Sequence, residues 1–205
     1  MTTLLERYQR IAPVYDLLDL PFEHGRYRQI RPHLLAGLGG DILDAGIGTG
    51  RNMAFYPAGA RVTGIDLSPA MLARARRRTA ASKAASIDLR LMDATKLDLP
   101  DNSVDAAVSS FLFCVLPHEM QLPALRELRR VTRPGGRIRL LEYVRPTGKW
   151  RGFVAGLWEP WMRFAYGAGF DRHTERYLPE AGLDLLSAEF VVPDLLKLLR
   201  VRVPD

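Results

Sequence analysis

The stretch ILDAGIGTGRN, residues 42–52, ends an apolar run in a carboxylate, Asp44, and then drops its side chains at Gly46, Gly48 and Gly50. A strand that breaks into glycines before a helix lets the backbone approach a ligand closely and aims free amide groups at it. The nicotinamide fingerprint G-x-G-x-x-G would need glycine where Arg51 stands, so the spacing argues against a dinucleotide. Asp66 lies 20 residues past Gly46 at the end of the next apolar run, where an acceptor for two ribose hydroxyls belongs. A later run, MDATKLDLPDNSVDAAVSSF, adds Asp93, Ala94, Ser109 and Ser110 to the polar groups near strand ends.

Positioning these groups takes a regular scaffold. From residue 41 short branched runs alternate with helical patterns, the signature of a parallel sheet wrapped by helices. Strands are expected at 41–45, 61–66, 87–92, 104–110 and 136–143, and helices at 51–57, 68–82 and 118–132. Ser68 is the expected N-cap of the second helix, with Pro69 at its first position. RPGGR at 133–137 should close the third helix and turn into the fifth strand. A short helix near 174–182 then leads to LDLLSAEFVVP and LLKLLRVRV, two last strands joined at Pro193–Asp194. The expected fold is an α/β, Rossmann-like sheet of seven strands, parallel except for one antiparallel C-terminal strand, flanked by helices and preceded by an N-terminal amphipathic helix.

Two further segments are amphipathic. In TLLERYQRIA, Thr3 and Glu6 form a capping box, and Leu4, Leu5, Tyr8, Ile11 and Ala12 share one face. In KWRGFVAGLWEPWMRFAY, Trp150, Phe153, Val154, Leu157, Trp158, Trp161 and Phe164 share a face at about 100° per residue, with Gly152, Glu159 and Arg163 opposite. Pro160 is expected to break or kink that helix. All three tryptophans fall here beside Lys149, Arg151 and Arg163, a composition suited to a lipid headgroup layer and equally to a helix that roofs the sheet.

With 205 residues, 47% of them hydrophobic and 25% charged, the chain is expected to form one soluble domain. Within it, 1–37 would be a helical lid and membrane-contact segment, 38–145 the cofactor-binding core, and 146–205 the aromatic-rich interfacial segment with the last two strands. No run approaches the roughly 18 apolar residues of a spanning helix, and the N-terminus does not read as a secretory signal, so a cytoplasmic protein is expected. One cysteine, Cys114, excludes a disulfide framework and a cysteine-built zinc site; it reads as a small buried apolar residue, and no metal is expected. The net charge of +6 and pI near 9.8 favour an anionic partner, although RARRRTAASK from Arg74 reads first as the solvated face of a helix.

On the glycine loop, Asp66 and the run from Met92 to Phe111, the sequence resembles the class I S-adenosylmethionine-dependent methyltransferases over roughly residues 35–145. That resemblance implies S-adenosylmethionine as cofactor and S-adenosylhomocysteine as product. It puts Asp44, Gly46, Gly48 and Gly50 beside the methionine part, Asp66 on the ribose, Leu67 and Met71 against the adenine, Asp93 and Ala94 at its edge, and Ser109 and Ser110 at the methyl-transfer site. A sulfonium cation carries no phosphate, and Asp44 suits it better than a lysine would.

For the acceptor, SSFLFCVLPH lacks the Asn/Asp-Pro-Pro-aromatic motif of enzymes that methylate DNA bases or glutamine amides, and Cys114 lacks the flanks of a cytosine-methylating nucleophile. No basic and aromatic platform for nucleic acid is visible, so none is expected as a partner. RIAPVYDLLDLPFEHGRYRQ and RELRRVTRPGGRIRLLEYVRP resemble the bacterial phosphatidylethanolamine N-methyltransferases and their kin, the ubiquinone and menaquinone C-methyltransferases. The resemblance implies N-methylation of phosphatidylethanolamine by a monomer peripherally bound to an anionic membrane through 3–12 and 149–166. The alternatives are a quinone-type or other small-molecule C- or O-methyltransferase and a noncatalytic cofactor-binding module. By position, Tyr15, His118, Glu142 and Tyr143 are the candidates to take the amine proton, and Arg145, Arg26 and Arg28 to hold a lipid phosphate.

Overall fold

A computed structural model of the chain describes residues 6, 8, 9, 11, 12, 15, 27–165 and 167–205. Helix α1 (Arg28–Leu35) precedes β1 (Asp41–Ala45), β2 (Arg61–Asp66), α2 (Pro69–Arg76), β3 (Ser86–Leu91), β4 (Val104–Ser110), α3 (His118–Val131) and β5 (Thr132–Tyr143). Helix α4 (Lys149–Ala165), β6 (Asp184–Val192) and β7 (Leu196–Arg202) complete it. The seven strands lie in the order β3-β2-β1-β4-β5-β7-β6. The first five are parallel and β7 runs antiparallel to both its neighbours, so a single strand is reversed, as expected.

Alternation along β1 explains the two-sided core. Ile42 faces a layer built from Ile30, Leu34 and Leu35 of α1 and Leu72 and Ala75 of α2, whereas Leu43 faces Ala124, Leu125, Leu128 and Val131 of α3. Burial on both faces explains the continuous apolar reading of the central strands.

The boundaries depart from expectation where backbone chemistry intervenes. After the glycine loop the expected helix 51–57 is only a 3₁₀ turn over Arg51–Phe55, because Tyr56 precedes Pro57 and takes an extended conformation with ψ 139. The second helix ends at Arg76 and is followed by a 3₁₀ turn, Thr79–Ala81; Ser68 caps it as anticipated, accepting from the Met71 N–H. The expected helix at 174–182 is a 3₁₀ turn, Thr174–Tyr177. RPGGR does not precede β5 but lies inside it as a bulge: Val104 pairs with Thr132 and Ala106 with Arg137. Of the N-terminal amphipathic segment, Glu6, Tyr8, Gln9, Ile11, Ala12 and Tyr15 are helical, and the Thr3 cap, Leu4 and Leu5 lie outside the described residues.

Helix α4 runs through Pro160 without ending there, a correction to the expected break. Its inward side carries Glu159 together with the part-buried Val154, Ala155 and Met162. Glu159 is buried and accepts from Arg145 (2.5 Å) and Arg163 (2.9 Å), and Arg163 reaches Asp171 (3.1 Å). The other side faces out, with Trp150 75%, Phe153 61%, Leu157 65% and Phe164 81% exposed. Asp194, at φ 61 in the β6–β7 turn, accepts from the Thr147 and Gly148 N–H groups just ahead of α4. Among the described residues no helix is long and apolar enough to cross a membrane.

The loop that carries Asp93 and Ala94 is tied to α3. Arg130 donates to the carbonyls of Leu97 and Leu99 and to Asp101, and Glu127 accepts from the Leu97 N–H. Arg130→Ala removes several charge-assisted bonds and should cost about 1–3 kcal/mol of unfolding free energy, read from urea titrations.

Candidate active site

Every strand end in question lies on the carboxyl edge of the parallel sheet, where open α/β folds bind ligands. Gly46 (φ 74), Gly48 (φ 56) and Gly50 (φ 82) all occupy the left-handed region, which an L side chain enters only at a cost. Their roles differ. A Cβ on Gly48 would meet nothing within 4 Å, so its backbone borders open space, whereas one on Gly50 would lie 2.9 Å from Met53 Cε and 3.1 Å from Ala75 Cα. Gly50 therefore serves close packing of α2, and Gly48 close approach of a ligand.

Two cavities flank this loop. The smaller, about 100 Å³, is lined by Gly46, Gly48, Asp66, Leu67, Met71, Asp93, Ala94 and Ser110. The larger, about 1110 Å³, shares Gly46, Gly48, Ser110, Phe111, Tyr8 and Tyr15 with it and extends under α4. Asp66 accepts one backbone N–H on each oxygen, from Gly48 (2.9 Å) and Ser68 (2.8 Å), which leaves an acceptor site on each oxygen for a pair of hydroxyls. Burial raises its pKa above the ordinary carboxylate value. Asp93 accepts from the Thr95 N–H and hydroxyl, both at 2.8 Å.

Asp44, Gly50 and Ser109 line neither cavity. Asp44 is fully buried; its Oδ2 accepts from Asn52 (2.9 Å) and Tyr56 (2.5 Å), and Arg31 donates to Asn52 at 2.6 Å. Burial pushes the Asp44 carboxyl up to about 6 against the opposing pull of Tyr56, Asn52 and Arg31. Its Oδ1 has no hydrogen-bond partner among the described residues. The buried Ser109 hydroxyl likewise lacks one, while Ser110 Oγ accepts from Asn52 at 3.1 Å.

The four candidate proton acceptors separate into two pairs. Tyr15 and Tyr143 line the larger cavity. Glu142 and His118 line neither: His118 is half exposed, 3.9 Å from Asp171, and Glu142 is buried, accepting from the backbone N–H groups of Phe113 (3.1 Å) and Cys114 (2.7 Å). Burial pushes Glu142 up to about 8. Arg145 is paired with Glu159, Arg28 is exposed on α1 away from both cavities, and Arg26 lies outside the described residues.

Of the rings that shape the site, sequence reading named Tyr143 and missed its neighbours. Tyr27, Phe111, Tyr143 and Phe170 enclose one end of the larger cavity, with ring centroids 5.2 Å (Tyr27–Phe111), 5.1 Å (Phe111–Tyr143) and 5.7 Å (Tyr143–Phe170) apart, and the Tyr27 and Tyr143 hydroxyls share a hydrogen bond. Phe111 has φ 61, a strained value for a bulky residue. Asn52 and Tyr56 sit one helical turn apart just after the glycines, a spacing that could have pointed to a shared partner.

Residues 42–136 match the model of a family described as a methyltransferase domain. Over 137 residues the chain is 36% identical to a phosphatidylethanolamine N-methyltransferase of Cereibacter sphaeroides, with 66% of each chain covered. Over 188 residues it is 36% identical to the ubiquinone/menaquinone biosynthesis C-methyltransferase UbiE of Syntrophotalea carbinolica, covering 85% of this chain and 76% of that one. The chain belongs to the class I S-adenosylmethionine-dependent methyltransferases. The fold agrees: the crystal structure of the cyclase SpnF superposes with a TM-score of 0.72 at 19% identity, over 98% of this chain and 96% of that one.

The methyltransferase's cofactor is S-adenosylmethionine, and the residues present fit it. Gly48 borders open space, Asp66 keeps acceptor sites for two hydroxyls, Leu67, Met71 and Ala94 wall a flat apolar slot, and an unpartnered carboxylate oxygen of Asp44 favours a cation nearby. Gly48→Ala should weaken S-adenosylhomocysteine binding in calorimetry by at least about tenfold and lower stability only by the roughly 1–2 kcal/mol of its left-handed backbone, whereas Gly50→Ala, whose Cβ would also meet Met53 and Ala75, should lower it by more, roughly 2–4 kcal/mol.

Glu142 and Asp44 also set a pH dependence. Each keeps its proton in the folded state to a higher pH than in the unfolded chain, Glu142 to about 8 instead of 4.5 and Asp44 to about 6 instead of 3.8. The folded state thus binds more protons in those windows, and their contribution to stability is lost as pH rises through them. The melting temperature should fall between pH 5 and pH 8.5, and Glu142→Gln, which cannot ionise, should flatten the decline above pH 6.

Proposed function

We propose that this methyltransferase N-methylates phosphatidylethanolamine at a membrane surface, once or in succession towards phosphatidylcholine. The aromatic enclosure of Tyr27, Phe111, Tyr143 and Phe170 beside the glycine loop carries the reading, because ring faces stabilise the methylated ammonium that each transfer leaves and suit a quaternary product, which can no longer shed its charge. The similarity to the Cereibacter sphaeroides enzyme supports it, as does the outward aromatic face of α4 beside Lys149 and Arg151, suited to peripheral binding at an anionic headgroup layer together with the N-terminal helix.

When bound, S-adenosylmethionine would supply an electrophilic methyl group to the amine lone pair, with S-adenosylhomocysteine as the product. Asp66 would hold its ribose hydroxyls, Leu67, Met71, Asp93 and Ala94 would hold the adenine, and Gly46 and Gly48 would leave room for the methionine part, with the Asp44 charge behind them. A primary ammonium has a pKa of roughly 10 and must first lose a proton. Tyr143 accepts a hydrogen bond from the ammonium and, as it takes that proton, gives up its own hydroxyl proton through Tyr27 to water; Tyr15 lines the same cavity. Glu142 does not touch the amine; it fixes the Phe113–Cys114 backbone that follows Phe111.

A quinone ring as acceptor is the second reading, favoured by the longer match to UbiE, 85% of this chain against 66%. Vesicles containing phosphatidylethanolamine and labelled cofactor should yield labelled monomethyl lipid; label only in an added demethylquinone would replace the first reading with the second. Tyr143→Phe should lower kcat on the lipid by ~100-fold or more and leave S-adenosylhomocysteine affinity within about twofold.

A further inference from the structure

Resting on the reading of the larger cavity as the acceptor site, we infer that its α4 end receives an aliphatic chain of the acceptor, so that the lipid is drawn partly out of its bilayer and not methylated in place. The cavity is too large for a headgroup. Its volume of about 1110 Å³ exceeds the roughly 300–1,000 Å³ that encloses most of a drug-sized ligand, so the methionine part of the cofactor at the glycine-loop end together with an ethanolamine of a few heavy atoms would leave much of it unfilled.

Polarity divides the walls. The hydroxyls of Ser110, Tyr27 and Tyr143 lie at the glycine-loop end, and the α4 end is walled by Val154, Ala155 and Met162 against Val192, Leu195 and Leu196 of the β6–β7 turn. No carboxylate is among the described residues that line the cavity. The apolar end is built and braced: Arg151 of α4 donates to the Pro193 carbonyl at 2.7 Å, Asp194 caps the segment before α4, and Glu159 with Arg145 holds its far half. One helix therefore offers an exposed aromatic face to a lipid layer and an inner apolar face to the reaction cavity, and a chain passing beneath it lies against Val154, Ala155 and Met162.

Three water-soluble probes separate the possibilities: glycerophosphoethanolamine with no chain, dihexanoyl phosphatidylethanolamine as monomers, and a brominated lysophosphatidylethanolamine below its critical micelle concentration. Burial contributes roughly fourfold per methylene, so kcat/KM for the dihexanoyl lipid should exceed that for the chainless probe on the order of 100-fold. The three tryptophans border the cavity from its exposed rim, Trp161 the most covered of them, so the brominated lipid should quench part of their emission saturably without vesicles. Ala155→Phe, or Val154→Phe where the first variant misfolds, should abolish both the chain preference and the quenching without adding a tryptophan, with S-adenosylhomocysteine calorimetry verifying the fold. Equal turnover of chained and chainless probes, quenching seen only with vesicles, or an undiminished preference in both blocked variants would overturn the inference. Saturable quenching lost on blocking, with no probe methylated, would uphold the chain site and reject phosphatidylethanolamine as acceptor.

Discussion

A carboxylate with no exposed surface must be held by donors or surrender its charge, and Asp44 stands at that boundary. Tyr56 and Asn52 hold one oxygen, Arg31 holds Asn52, and Asn52 also reaches Ser110. That chain of contacts joins α1, the end of β1, the 3₁₀ turn after the glycines and the end of β4. The glycine bend therefore has a fixed floor. Moving any of these elements would leave a buried charge short of partners, which costs far more than an exposed hydrogen bond. The site is rigid where the cofactor binds because its polar foundation is shared.

The same principle explains why α4 faces the way it does. Left to hydrophobicity alone, Trp150, Phe153, Leu157 and Phe164 would be expected to turn inward. Glu159 turns inward instead, because Arg145, Arg163 and Asp171 supply a partnered place for it. With the polar side satisfied inside, the aromatic side is left without protein cover. An apolar face of that size on a protein with net charge +6 is the arrangement an interfacial helix requires.

The sheet was legible because it is buried on both faces: β1, β2 and β4 occupy the residues their apolar runs predict. That the glycine loop, Asp66, Met71 and Asp93 would meet around one cavity was legible because glycines and carboxylates at the ends of successive parallel strands share one edge of the sheet. Helix lengths were not, since Tyr56 before Pro57 and the short α2 obey local backbone rules that periodicity ignores. Nor was the aromatic enclosure, whose members Tyr27, Phe111, Tyr143 and Phe170 come from four separate segments and meet only through the fold. Phe111 drew notice in the sequence only as a mismatch to a different motif, while its importance lies in a backbone angle that no composition records.

Glu142 illustrates the remaining gap. At the end of β5, next to Tyr143, a glutamate reads as a base, and its elevated pKa would suit one. Geometry decides against contact: both oxygens are engaged by consecutive N–H groups of the β4–α3 connection, and the side chain is buried away from both cavities. Strand alternation sends Tyr143 and Glu142 to opposite faces, so only one of the two can reach the acceptor. The tyrosine lines the cavity and the glutamate secures the corner on which Phe111 is strained. A perturbed carboxyl near a reaction centre can thus report how the centre is held together without taking part in the proton transfer itself.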